Sequence, residues 1–318
     1  MVKHKHVKAK RKHRFKIFEI LGFIGIGFFM ALILYLAFAP IPNPSQNNVS
    51  TIVTKTTSPK SSKAAIVDQL GLRYPNQAFI NEAKIILSQA GFQVDVYPPE
   101  AVTVNLYKTI SSKAYSLIVF RVHMGIDDEA IDKPTGLFTN EPYNQFGYQF
   151  EQLKDWVSSA KAYSTNEVLF AISPKFIKEA TVLDYPSTII ILSGCFGLYS
   201  KALPQAFIDR GASIVLGWDG LVSVNYVDEA TLSLLKALCL EKLSVKEAVE
   251  AVMREIGPDP DNKSILGYYP LEKGGLRAQH FKAPSLSLEK TYRVESLILI
   301  LKHGSKLIKG SHSNTKPQ

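Results

Sequence analysis

The stretch STIIILSGCFG, residues 187–197, places a run of β-branched and aliphatic residues directly before a glycine and a cysteine. A second stretch, SLIVFRVHMG at residues 116–125, has the same form and places His123 directly after its apolar run. Near-continuous runs of Val, Ile and Leu are typical of strands that are buried on both faces of a parallel sheet. The two stretches therefore predict strands of such a sheet.

Strand and helix patterns alternate along the chain from residue 64 onward. This alternation is typical of helices that connect parallel strands and cover both faces of the sheet. We therefore expect an α/β fold in three layers, with a mostly parallel sheet. Further strands are expected at 64–69, 93–97, 167–173 and 212–218, and helices after Asn76, at 203–209 and at 245–256.

Two of these helices carry signals at their ends. Asn76 is suited to cap the first helix, because its side chain can accept a hydrogen bond from a backbone N–H group of the first turn. Ser244 and Glu247 have the spacing of a capping box, and Gly257 follows the apolar stripe of the last helix. We expect these two helices to begin next to residues 76 and 244.

The N-terminal segment predicts a membrane anchor. Residues 1–16 carry eight Lys or Arg side chains, and an apolar run of 22 residues, 17–38, follows with Glu19 as its one charged residue. As a helix this run would be about 33 Å long, enough to cross a bilayer. Basic residues on its N-terminal side predict a cytoplasmic N-terminus. We therefore expect a single transmembrane helix at 17–39, with the lipid bilayer as partner and the main domain extracytoplasmic at the cell membrane.

A cleaved signal peptide is the alternative for this segment, since Ala37-Phe38-Ala39 has the small-x-small form of a cleavage site. The apolar run exceeds the usual length of about 7–15 residues, and Pro40 would follow the cut, so an anchor is favoured. Residues 40–63 are rich in Pro, Ser, Thr and Asn, which is typical of a solvated stalk. The α/β domain is then expected at 64–301, with an insertion at 126–186, before a basic disordered tail at 302–318.

The net charge of +9 is concentrated at the two ends of the chain. Residues 20–301 hold 25 basic and 27 acidic residues and are therefore nearly neutral. A nucleic-acid partner is not expected. The two cysteines, Cys195 and Cys239, form no disulfide framework, and Cys239 lies in a helical pattern as a small buried residue.

Reactive groups in an open parallel sheet collect just beyond the carboxyl ends of its strands. His123 and Cys195 both occupy this position, and side chains on neighbouring strands, about 4.8 Å apart, can reach across one cleft. A thiol needs a nearby base to become an effective nucleophile, and imidazole titrates in the useful range. Gly125 and Gly194 allow close backbone approach, so their N–H groups are candidate oxyanion donors.

This arrangement resembles the caspase-like cysteine peptidases, which include caspases, legumains, gingipains, separases and CHAT domains. The resemblance lies in one apolar strand that ends in His with Gly close behind, and a second that ends in a small residue before Cys. The segment from Leu203 to Gly217-Trp218 is similar to the corresponding part of gingipain and CHAT relatives. The resemblance implies His123 as general acid/base, Cys195 as nucleophile, and the N–H groups of Gly125 and Cys195 at the oxyanion.

Four residues are candidates for the substrate pocket. Asp127 and Asp128 follow the histidine and could select a basic substrate residue or bind calcium through oxygen ligands. Trp218 and Asp219 end a predicted strand and are candidates to line the pocket, and the resemblance implies that the loop after this strand shapes it. A tryptophan that covers the edge of the sheet is the alternative for Trp218.

The expected function is that of a membrane-anchored cysteine endopeptidase that hydrolyses protein or peptide substrates through a Cys/His dyad. It requires neither a metal ion nor an organic cofactor. One alternative is a catalytically inactive caspase-like ectodomain that binds a partner at the cell surface, because Met124 separates His123 from Gly125. A minor alternative is an α/β-hydrolase with a Cys nucleophile, since SGCFG approaches a nucleophile elbow; that fold would require His280 as base.

Overall fold

The computed structural model describes residues 62–161 and 166–278. The expected transmembrane helix, most of the stalk, the basic tail and His280 lie outside these ranges. Within them, no helix is long and apolar enough to cross a membrane.

The larger of two sheets has six strands and is mostly parallel. Its order is β10-β9-β8-β3-β1-β2, and every neighbouring pair is parallel except β10 with β9. The expectation of an α/β fold with a mostly parallel sheet is confirmed. The strands are β1 (Lys63–Asp68), β2 (Gln93–Tyr97), β3 (Leu117–Arg121), β8 (Ile189–Ser193), β9 (Ile214–Trp218) and β10 (Leu266–Tyr269).

Helices cover both faces of this sheet because successive strand residues point to opposite sides. In β3, for example, Leu117 and Val119 belong to one buried cluster while Ile118 and Phe120 belong to the other. Helices α1 (Gln77–Gln89), α6 (Val224–Leu235) and α7 (Val245–Glu255) pack on the first side. Helices α2 (Val104–Thr109), α4 (Pro174–Glu179) and α5 (Ala202–Asp209) pack on the second.

The segment between β3 and β8 contains a second, antiparallel sheet. Its order is β4-β5-β7-β6, with a short helix α3 (Gln149–Leu153) between the second and third of its strands along the chain. The predicted strand at 167–173 is one of its members, β7. The strands are β4 (Met124–Ile126), β5 (Thr135–Pro142), β6 (Val157–Lys161) and β7 (Val168–Ile172).

Both helix-start predictions are confirmed. The Asn76 side chain accepts a hydrogen bond from the N–H of Phe79 at the start of α1. Ser244 and Glu247 form a reciprocal capping box at the start of α7. Cys239 is buried in a π-helical turn at Lys236–Leu240 that continues α6, as expected for a small core residue.

Strands β3 and β8 are direct neighbours at the centre of the large sheet. Their register pairs Arg121 with Ser193, the last residue of each strand. His123 and Cys195 each lie two residues beyond this pair, at the same edge of the sheet.

Candidate functional site

His123 and Cys195 line one cavity at the carboxyl ends of β3 and β8. The cavity has a volume of about 710 Å³. The short strand β4 forms one side of it, and the loop after β9 together with the start of α6 forms another. The sheet therefore brings the predicted pair into a common space, which a strand order with β3 and β8 apart would not do.

The backbone of His123 is held from two directions. Its N–H donates to Gln69 Oε1 at 2.8 Å, and its carbonyl accepts from Phe138 N–H at 3.0 Å. The imidazole packs edge-on against Tyr74, with ring centroids 5.7 Å apart, and lies 6.1 Å from the ring of Phe138. Its Nε2 atom is buried and has no hydrogen-bond partner among the described residues. A buried polar atom without a partner at a cavity wall is a candidate for contact with a ligand.

The imidazole of His123 is neutral at physiological pH. Burial lowers its pKa, and the positive charges of Arg73 and Arg121 lower it further, to about 4. A neutral imidazole has a free nitrogen lone pair and can accept a proton from a thiol.

The Cys195 thiol is half-buried and donates to the carbonyl oxygen of Val222, with a sulfur–oxygen distance of 3.6 Å. Burial raises its pKa, and the negative charge of Asp259 raises it further. No hydrogen bond joins the thiol to His123 in this arrangement. The site therefore holds a neutral thiol and a neutral imidazole rather than a thiolate–imidazolium pair.

These pKa directions predict how the free thiol responds to pH. The alkylation rate of Cys195 by iodoacetamide should be lower at pH 7 than that of an unburied cysteine and should still be rising above pH 9, because only the thiolate reacts. A Cys239→Ala variant removes the second thiol, so that mass spectrometry reports Cys195 alone. A rate that is already constant between pH 5 and pH 7 would instead indicate a preformed ion pair.

The turn that carries Cys195 is tight. Phe196 adopts a left-handed backbone conformation with φ of 59°, which is unfavourable for a residue with a side chain. Its N–H donates to the carbonyl of Gly220, and its carbonyl accepts from the Thr135 hydroxyl. At Gly194, an added Cβ would collide with the carbonyl oxygen of Val122. Glycine at 194 therefore allows the ends of β3 and β8 to approach each other.

The two glycine N–H groups considered for the oxyanion have other acceptors. Gly194 N–H donates to the carbonyl of Leu192. His123 and Asp127 are both hydrogen-bonded to the segment opposite, and Gly125, which faces Gly136, lies two residues from each of them. Hydrogen-bonded positions recur at every second residue of an antiparallel strand, so Gly125 is also one of them and its N–H points toward β5.

The same alternation directs the N–H of Met124 away from β5. Met124 also follows His123 directly and lines the cavity. The N–H of Cys195 donates to no oxygen among the described residues and lies close to its own sulfur. Met124 and Cys195 are thus two backbone donors at the cavity for which the described residues provide no acceptor.

The four candidate pocket residues lie outside the cavity lining. Asp127 and Asp128 are exposed, and the Asp127 carboxylate accepts hydrogen bonds from backbone N–H groups of its own turn. Trp218 is fully buried in the core. Asp219 is exposed and accepts a hydrogen bond from the N–H of Ile265.

Arg121 is a feature beside the site that the sequence reading missed. It is fully buried at the end of β3, where its guanidinium donates to both oxygens of Asp228, to Asp68 and to the carbonyl of Tyr74. The guanidinium thereby ties together β1, β3, α6 and the loop that carries Tyr74. An arginine within an otherwise apolar strand is itself a signal, because a buried charge requires partners.

Gln69 was also missed. Its side chain is buried just after β1 and bridges the His123 N–H to the carbonyl of Thr139 and the side chain of Asn140 on β5. It therefore links the two sheets directly at the histidine.

Asp259 stabilises the loop that faces Cys195. It is fully buried and accepts hydrogen bonds from the backbone N–H groups of Ser223, Asp261 and Asn262. Burial raises its pKa, but the hydrogen bonds from Ser223 and Asn262 outweigh this effect and leave the pKa below its usual value. An ionised Asp259 thus anchors the residue next to Val222.

Within residues 62–161 and 166–278, no group of three or more His, Cys, Asp or Glu side chains is placed to hold a metal ion. Neither a scan against protein-family models nor a search of the curated proteins finds a match to the chain.

Proposed function

We propose that this chain is a membrane-anchored, caspase-like cysteine endopeptidase that uses a Cys195/His123 dyad. The observation that carries the proposal is the register of β3 and β8, which places the two residues at equal heights in one cavity. The mostly parallel sheet with helices on both faces is compatible with the three-layer caspase-like fold. The apolar run at 17–38 supports an anchor at 17–39 that leaves the catalytic domain outside the cytoplasm.

The chemistry begins from neutral groups. His123 would accept the thiol proton as the Cys195 sulfur attacks the substrate carbonyl, because neither group is ionised beforehand. The resulting oxyanion would accept hydrogen bonds from the N–H groups of Met124 and Cys195. Protonated His123 would then donate its proton to the leaving amine. The C–N bond would break, and an acyl-enzyme would form. Water, deprotonated by His123, would release the acid product and regenerate the thiol.

The insertion of Met124 is compatible with this mechanism. Its N–H, in the position directly after the histidine, is the one that turns away from β5. The N–H of Gly125, by contrast, points toward β5 and contributes to the pairing of β4 with β5. The departure from a His-Gly sequence therefore still leaves a backbone donor directly after the histidine.

The second candidate function is that of an inactive caspase-like ectodomain that binds a partner. It is favoured by the hydrogen bond from the Cys195 thiol to Val222 and by the raised pKa of that thiol. In this case Cys195 would remain a structural donor. The α/β-hydrolase alternative has less support, because the left-handed residue is Phe196 rather than Cys195 and α5 begins only at Ala202.

Peptide cleavage by the purified full chain in mild detergent tests the proposal. A mixed peptide library is incubated with the wild type and with Cys195→Ala, and new termini are identified by mass spectrometry. Cleavage products are expected from the wild type only. Cys239→Ala is the matched control, since this thiol is buried away from the cavity, and it should cleave as the wild type does. Equal cleavage by Cys195→Ala and the wild type, or none by either, would contradict the proposal.

A further inference from the structure

The cavity around Cys195 and His123 has mainly apolar walls. Leu70 contributes from the loop after β1, Phe138 from β5, Leu221 and Val222 from the loop after β9, and Val227 from α6. No carboxylate of the described residues lines it. The wall composition is therefore unfavourable for a basic side chain, which would lose its hydration without gaining an anionic partner.

The charged groups near the cavity are directed elsewhere. The carboxylates of Asp127 and Asp128 lie on the exposed turn after β4. Arg121 is fully buried, donates to Asp68, Asp228 and Tyr74, and does not line the cavity. Arg73 forms an ion pair with Glu167.

One permanent charge remains among the described lining residues, the ammonium of Lys161. This residue ends β6 and is exposed to solvent. An exposed ammonium stays hydrated, so it is a weak partner for an acidic ligand compared with a buried arginine fork. Apart from the exposed ammonium of Lys161, the described lining residues carry no permanent charge that would select an anion.

We propose that the cavity binds an uncharged, apolar side chain of the substrate, that of the residue whose carbonyl Cys195 attacks. The inference rests on the proposed peptidase function and adds the substrate class. Removing apolar surface from water favours such a side chain, whereas a charged one is rejected by the cost of its desolvation. The aliphatic walls at Leu70, Leu221 and Val227 are complementary to leucine- or phenylalanine-sized groups.

Peptidyl acyloxymethyl ketones test the preference directly. Three compounds share one leader peptide and differ only in the residue before the ketone, which is Leu, Asp or Arg. The Cys195 sulfur displaces the carboxylate from the methylene carbon, the thiol proton passes to His123, and a stable thioether forms. We measure the second-order rate of this modification on the full chain by mass spectrometry. The Leu compound is expected to react at least about tenfold faster than the other two.

Leu221→Lys tests whether the apolar wall of the cavity determines this preference. The Leu221 side chain is 51% exposed, so its replacement should not disturb the core. The variant should slow the Leu compound by about tenfold, because it removes apolar surface from the cavity wall and introduces a hydrated ammonium in its place. Leu271→Lys is the matched control: Leu271 is 73% exposed and does not line the cavity, so its rates should stay within about twofold of wild type.

The outcomes separate the substrate class from the function. Faster reaction of the Asp or Arg compound at Cys195 would overturn the apolar preference and leave the peptidase proposal standing. Equal rates for all three compounds would overturn the preference as well. No reaction of any compound at a Cys195 that iodoacetamide still alkylates would overturn the proposed function, and the preference with it.

Discussion

His123→Ala should lower kcat/KM for a cleaved peptide by about 10³-fold while the protein stays folded. General acid/base groups contribute about 10²- to 10⁴-fold, and the neutral imidazole of His123 lines the cavity together with Cys195. The buried Nε2 atom has no partner among the described residues, so the variant breaks no side-chain hydrogen bond at that atom. Initial-rate kinetics at neutral pH, with circular dichroism to verify the fold, measure the effect.

His280→Ala is the discriminating comparison. Under the dyad mechanism the kcat/KM of His280→Ala should equal that of the wild type. The α/β-hydrolase alternative instead requires that His280→Ala lose activity. Unchanged activity in His123→Ala, with the loss in His280→Ala, would therefore reject the dyad in favour of that alternative. Unchanged activity in both variants would exclude both His123 and His280 as the base.

Arg121→Met should destabilise the domain by about 3–5 kcal/mol. The substitution retains an unbranched side chain but leaves Asp68 and Asp228 buried without their shared cation, and breaking a buried ion pair on one side has a cost of this size. The carbonyl of Tyr74 also loses its donor. Urea denaturation of the wild type and the variant gives the difference in the free energy of unfolding.

Lys236→Met is the matched control for Arg121→Met. Lys236 pairs with Glu82 on the surface, and both side chains are 47% exposed. Exposed ion pairs contribute about 0–1 kcal/mol, so this variant should unfold almost as the wild type does. A loss below about 1 kcal/mol in Arg121→Met as well would mean that the buried cluster does not stabilise the fold. Replacing Arg121, Asp68 and Asp228 together by apolar residues should recover much of the loss, since no unpaired charge remains.

Much of the local structure is encoded in short stretches of sequence. The apolar runs that end at Val122 and Ser193 predicted strands because continuous β-branched residues suit a sheet that is buried on both faces. Asn76 and Ser244 marked the starts of two helices through hydrogen bonds that span only three residues. These features depend on neighbours along the chain, and they were predictable for that reason.

The candidate pair was predictable in part. The sequence placed His123 and Cys195 at the ends of two strands, but it could not determine that β3 pairs with β8, since about 70 residues separate them. The sequence also could not predict the hydrogen bond from the thiol to Val222 or the position of Gly125 in the β4–β5 ladder. Both depend on how distant segments meet, and a shift of one residue in register would reverse which N–H groups are available.

The sequence by itself determined the parallel strands of the large sheet, the starts of two helices, the two candidate catalytic residues and the apolar N-terminal run. The tertiary structure alone decided the strand order, the buried Arg121 cluster, the neutral state of the site and the apolar character of its walls. The physical reason is the distance along the chain between the residues that interact. Local hydrogen bonds and side-chain periodicity are fixed by nearby residues, whereas burial, desolvation and cross-strand pairing arise only when remote segments pack together.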